Sequence, residues 1–322
     1  MHAELPIVSF LCALLVLMPL PWHWRAGTVP TISISLWLFA ANVINGVNAI
    51  IWKENVRIVV PVWCDITTKI IVGGTVALPA SLFCLCMQLE RVSSIRQVNT
   101  SLNDKRRRRI IDSLLCFGVP ALYMALHYIV QGHRFDIVED FGCRPNTFVS
   151  LPSVFLIWVP PSFFSIAAAI FASFALHHFM IRRITFARHL QNSNSALTPS
   201  RYFRLMSMAL VQIFWGIFVT AVNMWFTMKG GLRPWTGWTD VHWNFSRVSQ
   251  FPALFITPTY WLYTYLLWWT IPISSILFWG FFSFGQDAMK EYRACIAWVK
   301  RVIFRRPEPS SKSFANVSLP SL

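Results

Sequence analysis

Apolar residues run in long unbroken blocks along this chain, at about 5–21, 30–51, 62–88, 110–130, 151–179, 205–228 and 260–284, and charged residues gather between them. A helix needs about 20 apolar residues to cross the hydrocarbon core of a bilayer, and each block comes close to that length or exceeds it. None shows the apolar-polar alternation of a membrane-spanning strand, which must face lipid on one side and a lumen on the other. The pattern therefore predicts an all-α fold, a seven-transmembrane helix bundle. Proline falls inside several blocks, as Pro79, Pro120, Pro160, Pro161 and Pro272. Each removes a backbone N–H and is expected to kink its helix, as packing irregularity or as part of a switch. Gly73 and Gly74 would let another helix approach the third block closely.

Past Gly285 the pattern changes. Met289, Tyr292, Ile296, Val299 and Ile303 recur at helical steps, with Lys290, Arg293, Lys300 and Arg301 among their polar neighbours. This predicts a short amphipathic helix over 285–306 on the cytoplasmic membrane surface, with Cys295 open to acylation. Residues 307–322 hold too few large apolar side chains to fold and read as a disordered tail, where Ser310, Ser311 and Ser313 could meet kinases. The organisation expected is a membrane domain over 1–284, the juxtamembrane helix and the tail. No internal repeat joins the first blocks to the later ones, which weighs against a transporter built from repeated halves.

Composition supports the membrane reading: 55% apolar, 16% aromatic and 13% charged residues in 322 leave too little polar surface for a soluble globule. The first block lacks the basic start and small-residue cleavage site of a secretory signal, its early charge being Glu4, so it is expected to stay as a span. Charge then orients the bundle. With the N-terminus outside, 20 of the 28 Lys and Arg lie in inner loops and tail, seven in outer loops, and Lys69 within a span. The positive-inside rule selects that arrangement. The net charge of +15 is thus a topology signal whose partner is anionic inner-leaflet lipid, with no nucleic acid implied. The densest run, DKRRRRI at 104–110, reads as a stop signal and lipid contact or as a dock for an acidic partner.

The same orientation sorts the seven cysteines by compartment. Cys12, Cys84, Cys86 and Cys116 fall in spans and Cys295 inside, so Cys64 and Cys143 alone reach the oxidising face, as a disulfide or as two free thiols. A disulfide tying the third span to the second outer loop is expected. Among the N-x-S/T motifs, Asn99 and Asn316 lie inside, leaving Asn244 as the one site open to glycosylation.

Catalytic chemistry finds no footing. Eight histidines form no HExxH or His box, and adjacent His177 and His178 point about 100° apart on a helix, so no metal and no cofactor are expected. Asp65 and Asp112 sit near opposite faces of the membrane, too distant for a carboxylate pair, and no enzyme is predicted. Asp65 and Lys69 stand at i and i+4, acid first, the favourable order for a helical ion pair. Lys69 lies roughly 10 Å into the outer leaflet and must face the interior or reach out to water. Two readings stay open: the pair neutralise each other, or they line a pocket opening outward. Trp63, Trp235, Trp238, Trp243 and the YWLYTYLLWW segment containing Tyr260 crowd the same outer half, as an interfacial belt or as walls for a large apolar ligand.

Four stretches together, LMPLPWHWRAGTVPTISISLWLF, VWCDITTKIIVGGTVALPASLFC, LERVSSIR and FFSFGQDAMKEYR, resemble the fungal mating-pheromone receptors of the a-factor receptor type, the class D G-protein-coupled receptors. The resemblance spans essentially the whole membrane domain. It implies a plasma-membrane receptor for a short, C-terminally farnesylated and methyl-esterified peptide that promotes nucleotide exchange on a heterotrimeric G protein. The family lacks the Asp-Arg-Tyr and Asn-Pro-x-x-Tyr switches of rhodopsin-like receptors. Here LERV, Leu89 to Val92, stands at the first position, and the switch mechanism is not carried over to Glu90 and Arg91. With that reading, Trp63, Asp65, Lys69, Trp235, Trp243 and Tyr260 are the expected ligand residues, and Arg91, Arg96, Arg182, Arg183 and Arg204 border the expected G-protein face. The alternative is a polytopic secondary transporter of an amphipathic solute.

Overall fold

The computed structural model describes residues 2–94, 102–181 and 199–283. The chain divides into two units, Met1–Ser283 and Phe284–Leu322, and the second lies outside the described residues together with the expected 285–306 helix and Cys295. Among the described residues six helices are long and apolar enough to cross a membrane: α3 Val29–Ile51, α4 Pro61–Ser93, α5 Leu102–Val130, α6 Leu151–Ile181, α7 Pro199–Met228 and α8 Pro258–Ser283. Ahead of them stand α1, Glu4–Leu17, and α2, Leu20–Ala26. Met18 and Pro19 keep right-handed helical backbone between α1 and α2, so the two form one column interrupted where Pro19 and Pro21 withhold donors. Among the described residues this column and the six longer helices stand side by side, and the chain is a multi-pass membrane protein.

The prolines shape these columns through the carbonyls they leave without a partner. Pro120 cannot donate to the Cys116 carbonyl, and α5 widens there into a π turn over Leu114–Gly118. The freed oxygen accepts from Trp37 Nε1 at 3.2 Å and Ser33 Oγ at 3.4 Å, both on α3. Pro161 does the same to Ile157 within a second π turn, Val154–Trp158, and the Tyr123 hydroxyl of α5 donates to that carbonyl at 2.7 Å. Each distortion thus becomes a polar tie between columns, where no water could satisfy the backbone.

Column α4 is central, packing on α3, α5, α6 and α7. Its small residues allow this: a Cβ added at Gly73 would come within 2.9 Å of Met124 and 3.1 Å of Trp37. The main core runs through the inner half, where Leu82, Leu85 and Leu89 of α4 meet Ala168, Ala172 and Ala175 of α6 and Met206, Ala209 and Ile213 of α7. Alanines on α6 permit the close approach, as small residues do in membrane bundles.

The fold is mostly helical, as expected, and its outer end adds one small sheet. Three strands, β1 Phe135–Val138, β2 Gly142–Arg144 and β3 Val248–Phe251, form a small sheet in the order β2-β1-β3. β1 and β2 are antiparallel with Asp136 opposite Arg144, and β1 and β3 are parallel with Asp136 beside Ser249. These segments were too short for hydropathy to reveal, since a strand of three or four residues gives hardly two periods. Alternation gives the sheet two faces. Phe135, Ile137 and Cys143 pack with Trp52 and Cys64, while Asp136 and Arg144 line the space between the helices. A disulfide joins Cys64, in the first turn of α4, to Cys143 of β2 with Cα atoms 5.3 Å apart. It pins the sheet to the central column.

Candidate functional site

Beneath the sheet lies a cavity of about 580 Å³ walled by α3 through α8. Its outer rim is polar, with Asp136, Arg144, Asn146, Asn223, Tyr260 and Tyr263, and its depth is apolar, reaching Leu78, Leu82, Ala168 and Ile213. The gradient follows from the bundle: the strands bring polar side chains at the water boundary, and the helix interiors supply hydrocarbon. Aromatic packing stiffens the wall, since Phe226 of α7 and Tyr263 of α8 stack with centroids 3.7 Å apart and the Tyr263 hydroxyl donates to Asn223 Oδ1 at 2.9 Å. Deeper, Trp215 Nε1 donates to Ser274 Oγ at 3.1 Å and Gln212 Nε2 to the Ser274 carbonyl at 3.1 Å, linking α7 to α8.

The two charges on the rim differ in how far they are satisfied. Asp136 accepts from His133 Nε2 at 2.5 Å and from Asn146 Nδ2 at 3.2 Å. Arg247 lies 3.1 Å from His133 Nδ1 and can only donate, so the proton of a neutral His133 sits on Nε2, aimed at the carboxylate. Arg144 donates one hydrogen bond, from Nη2 to the Thr264 carbonyl at 3.2 Å, and its guanidinium lies 5.9 Å from the Phe141 ring centroid. Burial pushes its pKa below the usual arginine value, although it remains a cation.

A second, smaller hollow of about 380 Å³ holds Asp65, Lys69, Tyr128, Gln131, Arg134 and Phe245. Here the helical ion pair expected between Asp65 and Lys69 is corrected. Asp65 receives a two-pronged contact from Arg134, Nε to Oδ1 at 2.8 Å and Nη2 to Oδ2 at 2.6 Å, which raises the pKa of the guanidinium. Lys69 turns instead to Gln131 Oε1 at 2.6 Å and His127 Nδ1 at 3.1 Å. A planar guanidinium matches both carboxylate oxygens at once, and an ammonium on a flexible stem cannot. His127 stands between the two spaces: it lines the large cavity and lies 3.3 Å from Thr147 Oγ1.

Of the six expected ligand residues, Tyr260 alone lines the large cavity, and Asp65 and Lys69 line the smaller one. Trp63 lines neither; its Nε1 donates to Asn48 Oδ1 at 2.9 Å beside the disulfide cluster. Trp235 packs edge-on to Phe148, and Trp243 is 70% exposed at the surface. The cavity is also lined by Asp136, Arg144, Asn223 and Tyr263, which the sequence did not single out. A signal existed for Tyr263, three residues after Tyr260 and so on the same helix face. None existed for the strand residues, because their placement depends on the sheet.

At the inner end, Arg91 is half-buried on α4 and Arg204 half-buried on α7, while Arg96, Arg182 and Arg183 lie outside the described residues. The Tyr202 hydroxyl reaches the carbonyls of Leu89 and Ala175, each at 3.4 Å, and thereby bridges α7 to α4 and α6. Beside it, His178 Nδ1 lies 3.7 Å from buried Glu90. Asn244 is exposed on the outer loop before β3, with φ of 51°.

Residues 4–301 match the family described as Pheromone A receptor. The chain is 53% identical over 295 residues to the Pheromone B beta 1 receptor of Schizophyllum commune, covering 91% of this chain and 54% of that protein. It is 32% identical to Pheromone receptor 1 of Ustilago hordei, over 93% of this chain and 84% of the relative. The Pheromone a factor receptor of Saccharomyces cerevisiae is more distant, 26% identical over 63% of this chain and 44% of its own length. The chain spans about half the length of the Schizophyllum receptors it matches.

Proposed function

Because the chain belongs to the pheromone A receptor family, we propose that it is a plasma-membrane G-protein-coupled receptor whose outer cavity takes a lipidated mating peptide in the fungal pheromone response. The observation that carries this reading is the cavity's division into polar rim and apolar depth. At about 580 Å³ it falls within the range of roughly 300–1,000 Å³ that suits a ligand of drug size. That is room for the lipid-bearing end of a peptide, with hydrocarbon directed toward Leu78, Leu82 and Ile213 and the peptide backbone toward Asn223, Tyr260 and Tyr263. Lys69 then acts one layer away, through His127, and Asp65 stands beside it on Arg134.

The inner face completes the reading. A ligand that binds one arrangement of α4, α6, α7 and α8 better than another shifts the bundle toward it, and a heterotrimeric G protein that prefers the same arrangement is favoured in turn. Arg91 and Arg204, with Arg96, Arg182 and Arg183, supply positive charge for that partner and for anionic inner-leaflet lipids. A secondary transporter finds no support among the relatives, each named a receptor, and a receptor needs no enzymatic step of its own.

The test is a transcriptional reporter in fungal cells without receptors of their own, dosed with synthetic peptides in farnesylated and unfarnesylated forms. Response to farnesylated members is expected, with the half-maximal dose rising more than about tenfold on removal of the lipid, in keeping with burial of many methylenes. Gly216 lines the cavity, and a Cβ there meets nothing within 4 Å, so Gly216→Trp grows into open space. It is expected to abolish the response at unchanged surface level. Silence toward every peptide, alongside measurable solute flux, would overturn the reading.

A further inference from the structure

Arg144 is the one rim charge of the cavity whose hydrogen-bonding capacity is largely unspent. Its guanidinium offers five N–H donors, and the described contacts use one, on the Thr264 carbonyl. Asp136 stands directly opposite on β1, yet the two do not pair, because His133 and Asn146 already hold that carboxylate. The acidic groups that bear on the guanidinium are the phenols of Tyr260 and Tyr263, which are neutral at physiological pH. Half-buried at the rim, the guanidinium turns most of its donors toward the cavity with little compensation from the protein, where an anion can take them. Its position is also fixed: Arg144 follows Cys143, which the disulfide fastens to α4, and its strand is paired to β1. A pre-placed fork at a cavity rim suits a carboxylate, which it can meet with two parallel hydrogen bonds.

We propose that Arg144 reads a carboxylate on the peptide part of the ligand, so that this receptor selects among lipidated peptides by the charge of the residues nearest the lipid. The proposal rests on the receptor reading above and deepens it. The carboxylate can come from an acidic side chain or from an unesterified C-terminus, and both present the same two oxygens. A peptide with a lysine at the matching place would set two cations against each other in a partly desolvated rim, and rejection follows from repulsion as much as from the lost contact.

The experiment uses the full chain in the reporter cells, with farnesylated peptides made in matched sets: glutamate, glutamine or lysine at each position near the lipid, each as methyl ester and as free acid. Wild type is expected to prefer the glutamate member at one position, or the free acid throughout, by roughly ten- to hundredfold in half-maximal dose. The arm that shows the preference identifies the source of the carboxylate. Arg144→Gln should remove the preference while the glutamine member still signals, Arg144→Glu should favour the lysine member, and Arg144→Lys should keep part of the acid preference. A merely structural Arg144, holding Thr264, would weaken every peptide alike and leave the ratios unchanged. Equal response of wild type to all charge forms, or an acid preference that survives Arg144→Gln, overturns this proposal and leaves the receptor reading standing. Silence of wild type toward every peptide overturns both.

Discussion

Asp65 changes meaning most between chain and fold. Its spacing to Lys69 is that of a helical ion pair, yet Arg134, 69 residues away, takes both of its oxygens. Both partners of the Asp65 contact are more than a third exposed, so the pair contributes about 1 kcal/mol or less. Asp65→Asn should therefore leave surface expression nearly unchanged and shift the half-maximal peptide dose by less than about tenfold; a larger shift would mean a direct ligand contact. Gly142 is the opposite case. Its φ of 71° disfavours any side chain, and a Cβ would come within 2.6 Å of Asn48 and 2.7 Å of Trp52. Gly142→Ala is expected to cost more than about 2 kcal/mol, from the left-handed backbone and the overlap together, and to lower the receptor count in a surface-labelling assay.

The helices were legible because their signal is long and local. The blocks from the second onward coincide with α3 through α8, although α5 begins at Leu102, well ahead of its block; of the third block's glycines, Gly73 admits close neighbours while a Cβ at Gly74 would meet only Trp37, at 3.9 Å. Proline positions were equally plain, but the partners of the freed carbonyls were not. Nothing in the neighbourhood of Ile157 points to Tyr123, and that tie exists because α5 and α6 pack side by side. The same holds for Tyr202, whose hydroxyl bridges three columns at the inner end. If a G protein enters between α4, α6 and α7, this bridge must open first. Tyr202→Phe removes hydrogen bonds worth about 0.5–1.5 kcal/mol and should raise ligand-free reporter activity by roughly two- to tenfold. Unchanged basal activity with normal expression would show that the inner face opens elsewhere.

Taken as one molecule, the bundle is oriented by its charge, and the disulfide lies at the end that charge places outside. Asn244 offers an independent reading of that orientation, being exposed at the same end. Glycosidase treatment should sharpen or shift the band of the expressed receptor, and Asn244→Gln should remove the effect; sugar lost instead on changing Asn99 or Asn316 would invert the topology. Apolar columns and the pairing of Cys64 with Cys143 were readable from the chain, since lipid solvation and redox compartment act on composition and position alone. The lining of the cavity was not. Tyr260 was singled out and Arg144 was not, because a cavity is made by side chains brought together from six helices and a sheet, and its chemistry depends on which charges their neighbours have already neutralised. Hydropathy places residues in the membrane or out of it; only packing settles which of them face one another.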